Sequence, residues 1–122
     1  MQDGEGRTEL GITAKSLAEP DRSRTFIDGS ARSAVRLRSA AIGLGTYEPG
    51  WKWSSHAGAH TGKPSENHIG YLISGSIIVQ DASGFEQQIG PGEAFEVAPG
   101  HDAWVVGSEP CIALDFAHLP PS

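Results

Sequence analysis

From residue 34 onward the chain is a series of short β-forming runs cut apart by glycine and proline turn pairs, and that rhythm restricts it to a fold of many short strands. AVRLRSAAIGLGTYE alternates loosely and ends at Pro49-Gly50. WKWSSH follows, reading as a strand with Trp51 and Trp53 on one face and Lys52, Ser54 and His56 on the other. After a polar loop over 57–67, HIGYLISGSIIVQD reads as the strongest strand pair, bent at Ser74-Gly75. Ser83-Gly84, Gly90-Pro91-Gly92, Pro99-Gly100 and Glu109-Pro110 then punctuate FEQQI, EAFEVAP, HDAWVVG and CIALDFAHL. The 16 glycines and 8 prolines are scattered rather than clustered, as such a fold requires. About eight or nine strands with almost no helix signal predict an all-β sandwich or barrel.

The length of 122 residues suits one domain. Residues 34–119 are assigned to a single β-barrel. Residues 1–33 are assigned to a partly ordered N-terminal arm, in which Phe26 and Ile27 precede an Asp28-Gly29 turn signal. The net charge of −6 argues against nucleic acid and against an anionic membrane surface as partners. No apolar run is long enough to span a bilayer, and no signal-like segment opens the sequence. The lone Cys111 excludes an internal disulfide and fits a reducing compartment, so a cytoplasmic location is expected. Its apolar setting, CIALDF, marks it as a core residue rather than a nucleophile.

Five histidines carry the chemical signal: His56, His60, His68, His101 and His118. His56 closes one expected strand, His68 opens another, and His101 follows Pro99-Gly100 at the start of a third. Strand ends in a barrel converge on one interior region. Three neutral imidazoles with an open position suit a transition metal in a catalytic rather than a structural setting. Phe95, Val97, Pro99, His101, Ala103 and Val105 share one mostly apolar alternation, and His68 shares its own with Gly70 and Leu72, so both histidines are expected to face inward. His60, in the loop, is a fourth candidate ligand or a substrate contact. His118 lies in the tail and is given no role. For any single histidine the simpler reading is a hydrogen-bonded residue at a barrel mouth; the three together point to metal.

The segment from Gly50 to Gly107 resembles the cupin superfamily. Gly50 is followed by five residues and His56, and His68 by six residues and Gly75, as in the first cupin motif. GPGEAFEVAPGHDAW covers the second motif, with Gly100 as its glycine. KSLAEPDRSRTF, EPGWKWSSH, HIGYLISG and PGHDAWVVGSEPC look like a subgroup of small, mostly uncharacterised bacterial single-domain cupins. The resemblance implies a double-stranded β-helix, or jelly-roll, barrel. This chain departs from the motifs at three places: Gly58 stands where the second histidine of His-x-His is expected, His68 takes the glutamate position, and Ala103 takes the second-motif histidine position. His101, two residues earlier on the same face, is placed to substitute. The implied set of histidines without a carboxylate is similar to the iron sites of some cupin dioxygenases and the zinc sites of other cupins.

The expected metal is therefore a divalent transition ion: zinc, iron, manganese, nickel or copper. The expected partner is a small organic molecule, with a homodimer as the assembly. Two functions remain open: a metal-dependent enzyme of dioxygenase-like or lyase/isomerase-like chemistry, or a non-catalytic binding or sensing module. The catalytic base is unassigned. Trp51, Trp53 and Trp104 are read first as packing residues, and Asp102 as a cap on the Pro99-Gly100 turn. Lys52, Arg36 and Arg38 are candidate contacts for an acidic substrate.

Overall fold

Alternation and turn chemistry produce nine strands and one helical turn in the computed structural model, which describes residues 11–58 and 65–119. They are β1 (Arg22–Thr25), β2 (Ala31–Arg36), β3 (Ala40–Tyr47), α1 (Trp53–His56), β4 (His68–Ser74), β5 (Ile77–Gln80), β6 (Glu86–Ile89), β7 (Ala94–Val97), β8 (Asp102–Val105) and β9 (Cys111–His118). A six-stranded sheet runs in the order β1-β2-β3-β9-β4-β7, and a three-stranded sheet in the order β6-β5-β8. Every pairing is antiparallel. The two sheets face each other and enclose a common interior, the arrangement of a double-stranded β-helix.

Consecutive strands β4 and β5 belong to different sheets, and Ser74-Gly75 is the corner between them. Gly75 has φ +83, and a Cβ there would collide with the Pro110 carbonyl. Both facts demand glycine. The sheet begins at Arg22, inside the stretch expected to be an arm. Asp28 makes the hairpin: its carboxylate accepts from the Ser30 N–H and hydroxyl at 3.0 Å each, and β1 folds back on β2.

WKWSSH, expected to be a strand, leaves the sheet early. Lys52 makes an isolated bridge to Trp104, and the chain then coils into α1. Asp102 Oδ1 accepts from the Ser54 N–H at 3.0 Å, and Lys52 N–H donates to His56 Nδ1 at 3.0 Å. Asp102 therefore holds the start of α1 rather than the Pro99-Gly100 turn. Alternation alone did not register these side chain-to-backbone bonds, which compete with a strand ladder.

The core lies between the sheets. Leu72 and Cys111 are fully buried, packed with Phe26, Trp51, Ile77, Val79, Ile89, Ala103 and Val105. Trp51 packs 4.5 Å from Tyr47 and 5.9 Å, edge-on, from Phe26. The inward alternation expected for Ala103 and Val105 is present, while Pro99 is exposed at its turn. No helix among the described residues is long and apolar enough to cross a membrane.

Candidate functional site

The interior opens into a cavity of about 420 Å³. Its floor is the inner face of the six-stranded sheet, and glycines make the room. On β3, a Cβ at Gly43 would strike the Arg32 guanidinium and Asp115, and one at Gly45 would strike the Tyr47 ring; on β4, one at Gly70 would strike Phe95. Glycine inside a strand marks this kind of close approach. Arg32, Tyr47 and Phe95 lie across the space left free.

Two of the expected histidines meet in this cavity. His68 comes from the start of β4, in the larger sheet, and His101 from the turn entering β8, in the smaller one. Their ring centroids are 5.9 Å apart, at an interplanar angle of 59°. A metal–nitrogen bond of about 2 Å puts each ring centroid ~3 Å from the ion, so tetrahedral ligation of one centre would bring the two rings about 1 Å closer than they lie here. His101 Nδ1 lies 3.1 Å from the Ala98 carbonyl oxygen and 3.1 Å from Ser65 Oγ. A carbonyl only accepts, so Nδ1 carries the proton and Nε2 presents its lone pair. Ser65 donates to the His101 carbonyl at 2.7 Å, fixing the turn from the other side. A second partner that sets the tautomer in this way is what a ligating histidine needs.

His68 stacks on Phe95 at 5.8 Å. Burial pushes its pKa below the usual histidine value, and His101 and Arg32 act in the same direction against the attraction of Asp115. The ring is therefore held neutral, the form that ligates.

The structure does not bring His56 to the other two. It sits on α1, stacked on Trp51 at 6.4 Å with its Nδ1 on the Lys52 backbone, and does not line the cavity. His60 lies outside the described residues. Among the described residues, no group of three or more histidine, cysteine or acidic side chains is placed to share an ion.

The cavity also contains a polar group that reading along the sequence missed. Arg32 reaches across Gly43 and forks onto Asp115, with Nε on Oδ2 at 2.9 Å and Nη2 on Oδ1 at 2.5 Å. This is the charge-assisted bidentate geometry specific to arginine. Tyr47 lies beside the pair; burial and Asp115 push its pKa up to about 12, so its hydroxyl stays protonated. Arg24 lines the same cavity, its guanidinium carbon 4.6 Å from the Phe26 ring centroid. The cations expected at the mouth, Lys52, Arg36 and Arg38, are not among the lining residues. Lys52 instead lies over Trp104, 5.1 Å from its centroid. The Asp28-Gly29 turn signal was the available clue: the two strands that pair across it place Arg24 opposite Arg32.

A second, larger groove of about 640 Å³ follows β6 and β7. It carries Asp81, Glu93 and Glu96 but no histidine or arginine, and so lacks the chemistry gathered between the sheets.

The two facing sheets define a double-stranded β-helix with an interior cavity. Solved structures place it more narrowly: the chain has the cupin fold. It is similar to a sugar phosphate isomerase from a cupin superfamily, of Silicibacter pomeroyi, with TM-score 0.64 and 16% identity over 88% of this chain and 76% of the other. It is also similar to the oxalate decarboxylase–formate complex of Lactobacillus farciminis, with TM-score 0.63 and 17% identity over 90% of this chain and 34% of the other. An uncharacterised conserved protein with a double-stranded β-helix domain from Klebsiella pneumoniae aligns with TM-score 0.54 and 20% identity, over 88% of this chain and 96% of that one. No protein-family model and no curated protein matches the sequence.

Proposed function

We propose that the cavity binds a small organic molecule beside a divalent transition metal held by His68 and His101, and that the protein is a metal-dependent enzyme of dioxygenase-like or lyase/isomerase-like chemistry. The observation that carries this reading is the convergence of two imidazoles, one from each sheet, in one cavity between the sheets. The third protein ligand is proposed from the segment containing His56 and His60. When bound, the metal would supply Lewis acidity toward a substrate oxygen, or redox chemistry if it is iron, copper or nickel. Ser65 and the Ala98 carbonyl orient His101, and Phe95 and Trp53 shield the two rings from water. Structural relatives named as an isomerase and a decarboxylase support small-molecule chemistry on this fold, although fold alone does not assign a reaction.

The second reading is a binding or sensing module. It is favoured by the state of Asp115: the buried carboxylate of the cavity is committed to Arg32 and is not free to act as a base.

Elemental analysis of native, untagged protein is expected to find about one metal per chain, bound by neutral imidazole and lost as pH falls to ~6 or below. His68→Ala is expected to abolish it, and full metal retention in that variant rejects the assignment. Alanine at His56 and at His60 in turn identifies the third ligand by loss of metal. Turnover in a substrate screen selects the enzyme reading; tight ligand retention without turnover selects the module.

We also infer a homodimer formed through the outer face of the six-stranded sheet. Ile69, Tyr71 and Ile73 on β4 and Phe116 on β9 are exposed there, and Phe116 registers against Ile69 on one side and Ile42 on the other. One carboxylate, the exposed Glu96, registers against Ile69 at the border of this apolar patch, and a two-fold axis pairs such a patch with itself.

A further inference from the structure

Two arginines face the cavity from directly opposed positions on neighbouring strands. The β1–β2 register sets Arg24 against Arg32, and both line the cavity. Like charges directly opposite each other weaken a strand pair. Asp115 relieves only half of this: it takes Nε and Nη2 of Arg32, while Arg24 makes no ion pair among the described residues. The cavity lining also carries Glu66, so its two guanidinium groups are matched in number by two carboxylates, but only Arg32 and Asp115 are joined in an ion pair among the described residues. Arg32 has five N–H donors and Asp115 engages two, so three remain. The Tyr47 hydroxyl lines the same cavity and makes no hydrogen bond to a described residue.

We propose that Arg24 and Arg32, with the Tyr47 hydroxyl, bind the anionic oxygen group of the cavity's ligand, a carboxylate or a phosphate ester, while the ligand's apolar body lies against Phe26, Trp51 and Phe95. The Asp115 fork fixes the plane of the Arg32 guanidinium, so its remaining donors are aimed before the ligand arrives. Arg24, on the exposed strand β1, supplies a guanidinium that makes no ion pair among the described residues. The inference rests on the cavity being the ligand site, but not on the metal.

The test is calorimetric titration of the full chain with benzoate, phenyl phosphate and neutral benzamide, before and after chelator treatment. At least one anion is expected to bind about tenfold or more tightly than benzamide, as loss of a charge-assisted contact implies. The tighter anion identifies the group as carboxylate or phosphate. Arg24→Gln, on an exposed edge strand, is expected to weaken anion binding about tenfold with the melting temperature retained, and Arg24→Lys to fall between. Tyr47→Phe is expected to cost about threefold, the scale of one neutral hydrogen bond. His68→Ala is expected to lose metal and keep anion binding, so failure of the metal reading and failure of this inference are told apart. Benzamide binding as tightly as the anions, no binding by any probe, or unchanged anion affinity in Arg24→Gln overturns the proposal.

Discussion

The two faces of the six-stranded sheet reverse the usual division of residues. The inner face carries Arg24, Arg32, Asp115 and His68 over a floor relieved by Gly43, Gly45 and Gly70. The outer face presents Ile69, Tyr71, Ile73 and Phe116 to solvent. An ordinary half-buried sheet places its apolar residues inward and its charges outward. Here charged and imidazole side chains line the interior cavity, and an apolar patch lies on the outer face, the pattern that the proposed ligand and the proposed dimer would each explain. The packed core is correspondingly small, concentrated around Leu72, Cys111 and the three-stranded sheet.

Adjacent residues on β4 give the most direct test of that division. Leu72 is fully buried and Ile73 is 44% exposed. Leu72→Ala is expected to cost ~3 kcal/mol in urea unfolding, and Ile73→Ala under ~1 kcal/mol when dilute enough to be monomeric. Equal costs would show that the outer face is already covered within one chain. Next in size is Asp115→Ala, which strands the Arg32 guanidinium. Loss of a partner in a fully buried pair costs about 3–5 kcal/mol, and with the Arg32 side chain 38% exposed the expected loss falls to ~2 kcal/mol. A loss near zero would mean that Arg32 finds water or another acceptor, and that the inner face is wetter than its burial suggests.

A smaller effect comes from pH. His68 has a folded-state pKa depressed chiefly by burial, so the unfolded chain takes up the proton first. Stability of the metal-free protein is therefore full above the unfolded value of about 6.5 and falls as pH drops through the lower folded value. Thermal melts of wild type and His68→Gln are expected to converge near neutral pH and part in mildly acidic buffer, the wild type losing more; parallel curves would remove the burial argument. The least effect on the monomer is expected from Ile73→Lys, within ~0.5 kcal/mol. The same variant is expected to shift sedimentation from dimer to monomer, and an unchanged dimer would place the interface elsewhere.

The strand rhythm was legible because glycine and proline pairs mark turns through backbone constraints that tertiary context seldom overrides. The Ser74-Gly75 bend is such a case, although a linear reading showed only a bend and not a change of sheet. WKWSSH misled because its alternation is real, while the bonds that end the strand come from Asp102, a residue remote in sequence. Alternation around His68 and His101 was sufficient to bring both into the cavity. His56 is held off by its bond to the Lys52 backbone, which strand periodicity does not encode. Arg24 and Arg32 were missed because the first hairpin falls in the stretch expected to be an arm. Asp115 was missed because its partner lies on β2, across β3 and so two strands away in the sheet.

Cys111 gives the molecule an internal clock. Its sulfur is fully buried at the head of β9, and burial pushes the thiol up to about 11, so it is neither reachable nor ionised in the folded state. A thiol-reactive dye can modify it only during moments when β9 separates from its neighbours. As the chain's single cysteine, it yields one unambiguous labelling rate, and occupancy of the adjoining cavity by any ligand should slow that rate in proportion to the stability conferred.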